Sequence, residues 1–458
     1  MTTVALGPRP AGLRALTPDL LALRPRAVWR EMRRQPIAVW ALFVYLFFEY
    51  VRPQSIYSWL DFLPWAQLSL ITAVSTAAAT EIGKRRWTVL DTGLLIYTLI
   101  VLGSLVIAFD FGFALDGIDV YLTWLLVFFA ISSTVNTPAR VLLMLLGWFV
   151  WNFKMSFHAF RTWASIGFGF QDWGVAGAPG WFENSGEFGI QMCVVMPISL
   201  YFAFGMRRYV SRPTFLLILA LPFTAVAGAI ASSSRGALLG MAAIGFWMFL
   251  RSRYKARTAI GLAALGAIAI LVVPAEQKDR FRTAGDDRTS TTRITYWKRG
   301  IDIAKAHPVL GVGYRNWLPY YRSQYGGQNG VELSHNIFIE CVTELGFLGL
   351  AALLFLITGS FWLNAQTRAL ARRMPDHGDI FVQLGWGFDG ALIGFMVSGF
   401  FVTVLYYPYL WVNLAMTVSL HLTVARSVRT SPRSLRALVP RTEAKEVARP
   451  VVAPVPSS

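Results

Sequence analysis

From Pro36 to the early 420s the chain returns repeatedly to apolar runs of about 16 to 22 residues, separated mostly by short polar connections. A helix of that length just crosses the hydrocarbon of a bilayer, where every backbone N–H and C=O has to be satisfied within the protein, so few folds remain open. A membrane β-barrel would carry short alternating segments instead. Hydropathy gives about twelve spans, over 36–51, 62–80, 88–109, 117–133, 138–155, 187–206, 213–230, 235–250, 257–275, 335–362, 380–404 and 406–426. The expected fold is all-α, a polytopic integral membrane protein. Its composition, 55% hydrophobic and 15% charged, is one that soluble proteins rarely have.

The net charge of +17 raises nucleic acid as a partner, but the distribution of the charge argues against it. Lys84, Arg85, Arg86, Arg140, Arg207, Arg208, Arg212, Arg251, Arg253, Lys255, Arg257, Arg368, Arg372 and Arg373 fall in every second connection. The alternate short connections hold only Arg52, Lys154, Arg161 and Arg235. That asymmetry is the positive-inside pattern, so both termini are expected in the cytoplasm and the basic connections at inner-leaflet lipid. The expected organisation is a basic, weakly ordered N-terminal tail over 1–35 without a cleavable signal peptide, nine spans over 36–275, one large periplasmic loop over 276–334, three spans over 335–426, and a cytoplasmic tail over 427–458. Cys193 and Cys341 lie in apolar stretches and form no ligand set.

The polar chemistry collects on the non-cytoplasmic side in three places: the Gly- and Trp-rich segment 154–189, the turn 231-ASSSRGALLG-240 and the long loop 276–334. Arg235 opens a helix where the dipole repels a cation. Either it snorkels to headgroup phosphates or, with Ser232–Ser234 and the helix N-terminus, it forms an anion site. Gly236 and Gly240 read as packing residues. In the loop, 290-STTRITYWKRGIDIAKAHPVLGVG-313 reads as an amphipathic helix ended by Pro308, with Ile294, Trp297, Ile301 and Ala304 on one face and Arg293 near its start. The aromatic residues after it, Tyr314 and Trp317 among them, suit sugar faces and membrane interfaces equally. Ser334, His335 and Asn336 stand where the loop turns into an apolar helix. An imidazole there is kept neutral, as a general base requires, or serves only as a cap. Glu340 and Glu344 follow at i, i+4; intramembrane carboxylates are functional candidates, but a break at Gly346 or Gly349 would leave Glu344 interfacial, paired with a loop arginine. Asp286 and Asp287 beside Arg288 read as a solvated turn and not a metal pair, and Gly311–Gly313 is only a weak GxG.

The order SSSRGALLG, TTRITYWKRGIDIAKAHPVLGVG, SHNIFIECVTELGFLGL resembles the O-antigen ligase and O-antigen polymerase superfamily of bacterial membrane glycosyltransferases, over roughly residues 180–362. The stretch 181-WFENSGEFG-189 is similar to that family's polar segment before a span, and 47-FFEYVRPQSIY-57 is similar to its O-glycosylation ligase variant. The resemblance implies a polyprenyl-diphosphate-linked glycan as donor and a hydroxyl of lipid A core, a growing glycan or a protein as acceptor, at the periplasmic face of the bacterial inner membrane. It implies that Arg235 and Arg293 grip the donor's diphosphate and that His335 is the base. Asn336, Arg299, Glu344 and Glu187 are expected in support, Trp317 and Tyr314 as rings for the glycan. The enzyme expected is an inverting glycosyltransferase with no metal, no cofactor and no nucleic-acid partner. The rivals are an oligosaccharide or exopolysaccharide polymerase, a protein O-oligosaccharyltransferase and, from another class, a lipid-linked glycan transporter.

Overall fold

The structure is a computed structural model that describes residues 16–81, 83, 85–169, 174–272, 288–326, 333–374 and 376–430. The expectations for residues 1–15, for 276–287 with Asp286 and Asp287, for 327–332 and for the tail beyond 430 lie outside the described residues.

Among the described residues every regular element is helical. Each expected span is met by a helix: Ile37–Tyr50, Trp65–Thr80, Val89–Val106, Ile118–Thr134, Pro138–Ser165, Ser185–Met206, Arg212–Ala231, Arg235–Arg251, Lys255–Val272, Ile337–Ala371, Gly378–Gly399 and Pro408–Arg429. Eight helices among the described residues are long and apolar enough to cross a membrane, nine if the bent pair Pro25–Arg33 and Ile37–Ile56 counts as one span. The most buried of the candidate spans, Ser185–Met206, packs on Arg212–Ala231 and Gly378–Gly399, and around them the rest of the bundle closes. Its close neighbours rely on small residues: a Cβ on Gly387 or Gly394 would meet the backbone of Ile198 or Cys193 at 3.0 and 2.9 Å.

Residues 16–33, expected to be weakly ordered, form two short helices, Pro18–Leu21 and Pro25–Arg33. Leu16, Leu20 and Leu21 are buried in the main core, which is why this part of the tail is held.

The helix at Ile337–Ala371 is broken at Gly346, which has φ 67° and ψ −172°, a conformation essentially reserved for glycine. The break releases carbonyls, and the loop after the Arg288–Ala306 helix takes them. Val312 N–H donates to Thr343 O at 2.9 Å, Gly313 N–H to Glu344 O at 3.0 Å, and Phe347 N–H to Pro308 O at 2.8 Å. Irregular backbone is tolerated at such depth only where other protein satisfies it.

One expected span is shorter than hydropathy indicates. The helix placed over 380–404 ends at Gly399, and Phe400–Tyr407 is an irregular connection that runs to Pro408, the first residue of the last long helix. The run FFVTVLYY is as apolar as a span, so hydropathy cannot separate it from one.

Candidate active site

The Phe400–Tyr407 connection organises one end of the bundle. His335 N–H donates to Thr403 Oγ1 at 2.8 Å. Tyr406 Oη–H donates to Glu344 Oε2 at 3.0 Å and Tyr407 Oη–H to Glu187 Oε1 at 2.9 Å. A Cβ on Gly186 would stand 3.6 Å from Val402, and one on Gly236 would stand 3.1 Å from Phe401. The starts of the Ser185, Arg235, Ile337 and Pro408 helices therefore meet around one short segment. Sequence reasoning missed it; Gly399 and Pro408, a stop and a start signal bracketing β-branched and aromatic residues, are the marks that could have found it.

His335 has φ 48°, a left-handed conformation in which histidine is several-fold enriched over most residues. Its neighbours hold it there. Ser334 O accepts Trp297 Nε1–H at 3.0 Å, and Asn336 caps the Ile337 helix, its Oδ1 accepting Phe338 N–H at 2.9 Å and Ile339 N–H at 3.2 Å. The capping reading thus belongs to Asn336, and the imidazole of His335 is left out of the cap. Burial first, and the Arg293 guanidinium second, push the His335 pKa down from 6.5 to about 4. The ring is neutral at physiological pH, as the base reading requires.

Arg293 lies one helical turn before Trp297 on the Arg288–Ala306 helix, so the bond from Trp297 to Ser334 O fixes that turn beside His335. The face of this helix differs from the one read in the sequence: Ala304 and Trp297 face inward as expected, while Ile294 and Ile301 are exposed and Gly300 and Ile303 are buried. Gly300 causes the rotation, because its missing Cβ would sit 2.5 Å from Ile339 and the helix presses on the Ile337 helix at that point.

Arg235 is the first residue of its helix and half-buried. The serines before it are occupied in shaping the turn. Ser234 caps the helix through Ala237 N–H at 3.3 Å, Ser233 has φ 54°, and Ser232 Oγ donates to Ala229 O at 2.7 Å. Gly240, as expected, is a packing residue: a Cβ there would lie 2.1 Å from Ser398 Oγ.

The supporting residues separate into three groups. Glu187 and Asn336 join the connection or the cap as described. Glu344 is buried, and its Oε1 also accepts Trp317 N–H at 3.3 Å, beside Arg315 of the same loop. Glu340, one turn earlier, is buried as well, and its Oε2 has no hydrogen-bond partner among the described residues. Arg299 is turned to the Trp317–Tyr325 helix, hydrogen-bonded to Tyr321 Oη and lying 4.5 Å over the Tyr325 ring. Tyr314 and Trp317, expected as rings for the glycan, are 0% and 3% exposed. Tyr314 donates to Gly117 O at 3.1 Å and packs 4.8 Å from the Tyr406 ring, while Trp317 stacks on Tyr321. The loop that carries them dips into the bundle to satisfy the Gly346 break, which buries rings that composition alone would leave at the interface. Among the described residues no three or more His, Cys, Asp or Glu side chains stand together as a metal set.

Fold and site together define a multi-pass helical membrane protein with a neutral histidine and two arginines at one end of its bundle. Residues 197–354 match the family described as O-Antigen ligase, a match that contains Arg235, Arg293 and His335. The exopolysaccharide production protein ExoQ of Rhizobium meliloti (strain 1021) is 31% identical over 155 residues, which are 31% of this chain and 34% of that protein. The chain thus spans about a third of the length of the curated relative it matches. Both comparisons agree with the resemblance to the O-antigen ligase and polymerase superfamily, each over part of the chain.

Proposed function

We propose that this protein is a membrane glycosyltransferase that moves a glycan from a polyprenyl-diphosphate donor to an acceptor hydroxyl, at the periplasmic face of a bacterial inner membrane with both termini in the cytoplasm. The observation that carries the reading is the junction at Phe400–Thr403, where the helix begun by Arg235, the turn bearing Arg293 and the backbone of His335 converge.

In this reading His335 takes the proton of the acceptor O–H as the acceptor oxygen bonds to the anomeric carbon. The bond from that carbon to the diphosphate breaks, its electron pair stays on the leaving oxygen, and the polyprenyl diphosphate departs. Attack from the opposite face inverts the anomeric centre. Arg235 and Arg293 hold the diphosphate, and their attraction grows as charge develops on the leaving oxygen. Arginine suits the task because its planar fork meets phosphate oxygens in pairs and stays protonated. Glu187 and Asn336 support the site by fixing Tyr407 and the helix start.

His335→Ala should abolish transfer while donor binding survives; normal turnover would remove the base assignment. Arg235→Lys and Arg293→Lys should each raise the apparent donor KM, and unchanged values in both would remove the diphosphate clamp. The name of the matched relative makes a growing exopolysaccharide the first acceptor to test. Deleting the gene and comparing lipid-linked glycan, lipopolysaccharide, exopolysaccharide and glycoprotein separates polymerase, ligase and protein-modifying readings by the product that disappears.

A further inference from the structure

We propose that the end of the bundle opposite His335 carries a second anion site, for a phosphate group. A cavity of about 220 Å³ opens there, lined by Arg85, Arg86, Arg426 and Arg429 with Ser133 and Asn136, and no carboxylate lines it among the described residues. That volume is well above the ~10–15 Å³ that one water needs by the same measure, room for a phosphate group.

Four guanidinium groups at one cavity repel each other, so part of their charge has to be accounted for by the fold. Asp91 pairs with Arg85 at 2.5 Å, and the Ile118–Thr134 and Pro408–Arg429 helices end at the cavity, each C-terminus worth about −0.5 charge. Those terms offset part of the positive charge at the cavity. The guanidinium groups on the lining suit the negative charge of a phosphate group.

The polar geometry also faces the cavity. Arg85 is fixed by Asp91 and by its Nε–H donating to Ser132 Oγ at 3.1 Å, leaving the rest of its guanidinium directed by those two anchors. Ser133 is 1% exposed, and its Oγ, on the cavity lining, has no hydrogen-bond partner among the described residues. A buried hydroxyl without a partner is costly, and a phosphate oxygen accepting from it would relieve that cost.

Position gives the source of the phosphate. The Pro408–Arg429 helix has 22 residues and so runs about 33 Å from the Phe400–Tyr407 connection to the cavity, one bilayer thickness. That puts the cavity at the opposite headgroup level. The basic helix Pro25–Arg33, with Trp29 57% exposed, is linked to the same end: Gln35 just beyond it accepts from Arg140, and Arg140 pairs with Glu81, which accepts from Asn136 of the lining. A basic helix bearing an exposed Trp suits a headgroup layer. The ligand class is therefore a phosphate-bearing anion, with the headgroup of an anionic phospholipid favoured over free phosphate.

The test uses the purified full chain in neutral detergent, titrated with dihexanoylphosphatidylglycerol, dihexanoylphosphatidylcholine and inorganic phosphate by calorimetry. Saturable binding of the glycerol lipid and not of the choline lipid is expected. Arg86→Gln with Arg426→Gln should weaken it at least about tenfold, because each removes a charge-assisted hydrogen bond. Arg253→Gln with Arg257→Gln, exposed arginines in another basic connection, should leave it unchanged. Phosphate that competes with the lipid and is weakened in parallel supports the shared chemistry with lipid as source; phosphate binding that the lipid does not displace supports the site with free phosphate as ligand. No binding by wild type, binding unchanged in the R86Q/R426Q protein, or equal loss in the control pair overturns the proposal. Should the double variant not fold, the exposed change R86Q alone carries the comparison.

Discussion

The state of the His335 imidazole can be measured without any knowledge of substrate. Its pKa is pushed from 6.5 down to about 4 by burial and by Arg293. At pH 7 the neutral ring then exceeds the charged one about a thousandfold, against about threefold for an unperturbed histidine. Burial is the larger cause and Arg293 the smaller, so Arg293→Gln should raise the value yet leave it below 6.5. The chain has five histidines, few enough for ¹³C-histidine NMR in micelles, with the signal of interest assigned by its loss in His335→Asn. The sign also fixes a pH dependence of stability. Between 6.5 and about 4 the unfolded chain binds the proton and the folded one does not, so the fold loses stability as pH falls through that window. In a transfer assay kcat/KM for the donor should hold until His335 protonates, while the limb of kcat lies at higher pH, because a bound diphosphate offsets Arg293. A signal titrating near 6.5 in wild type, or unmoved by R293Q, would refute the reasoning.

Two structural predictions test what holds the site. Gly346→Ala places a Cβ 2.3 Å from Val309 O and 2.4 Å from its carbonyl carbon, in a backbone region essentially closed to alanine. Strain and weakened loop bonds should together cost about 3–5 kcal/mol, read as a fall in Tm in micelles; a loss under about 1 kcal/mol would mean that the loop yields freely. Asp389 pairs with Arg368 at 2.6 Å and accepts from Asn364 at 2.9 Å, all buried. Asp389→Ala should cost about 3–5 kcal/mol by stranding the arginine, and Arg368→Met with Asp389→Leu should cost less; the reverse order in thermal unfolding would count against a stranded charge.

What the sequence made legible was what depends on local chemistry. Apolar length placed twelve helices, one of the two glycines offered as a break, Gly346, breaks the Ile337–Ala371 helix, and Arg235 stood at the start its serines announced. What it hid depends on contacts between distant segments. Phe400–Tyr407 is irregular although it reads as a span; Trp124, far away in sequence, and Trp411 donate to the carbonyls of Tyr406 and Leu405, so its backbone finds partners outside a helix. Tyr314 and Trp317 read as interfacial rings, but their depth is set by the break at Gly346, and no property of an aromatic residue reveals how deep its loop goes. The Arg288–Ala306 helix kept its period and lost its predicted face, since Gly300, not the isoleucines, decides which side can press on a neighbour.

These hidden contacts explain how an irregular site keeps its geometry in a membrane protein. Carbonyls freed at Gly346 bond to Val312 and Gly313, in the loop that ends the Arg293 helix, and the same broken helix begins at Ile337, two residues after His335. Trp297 closes the circuit from the other side through Ser334 O, and Thr403 ties it to the connection shared with the Arg235 helix. Each irregular segment satisfies the polar groups of another, so none can relax toward regular helix without leaving buried N–H or C=O groups unpaired, at about 1–3 kcal/mol each. The positions of Arg293 and His335 are thus coupled through backbone, not only through charge. A change at Gly346, nine residues beyond the helix start and far from any reacting group, should therefore also move the His335 titration toward 6.5, and a change that leaves the loop bonds intact should not.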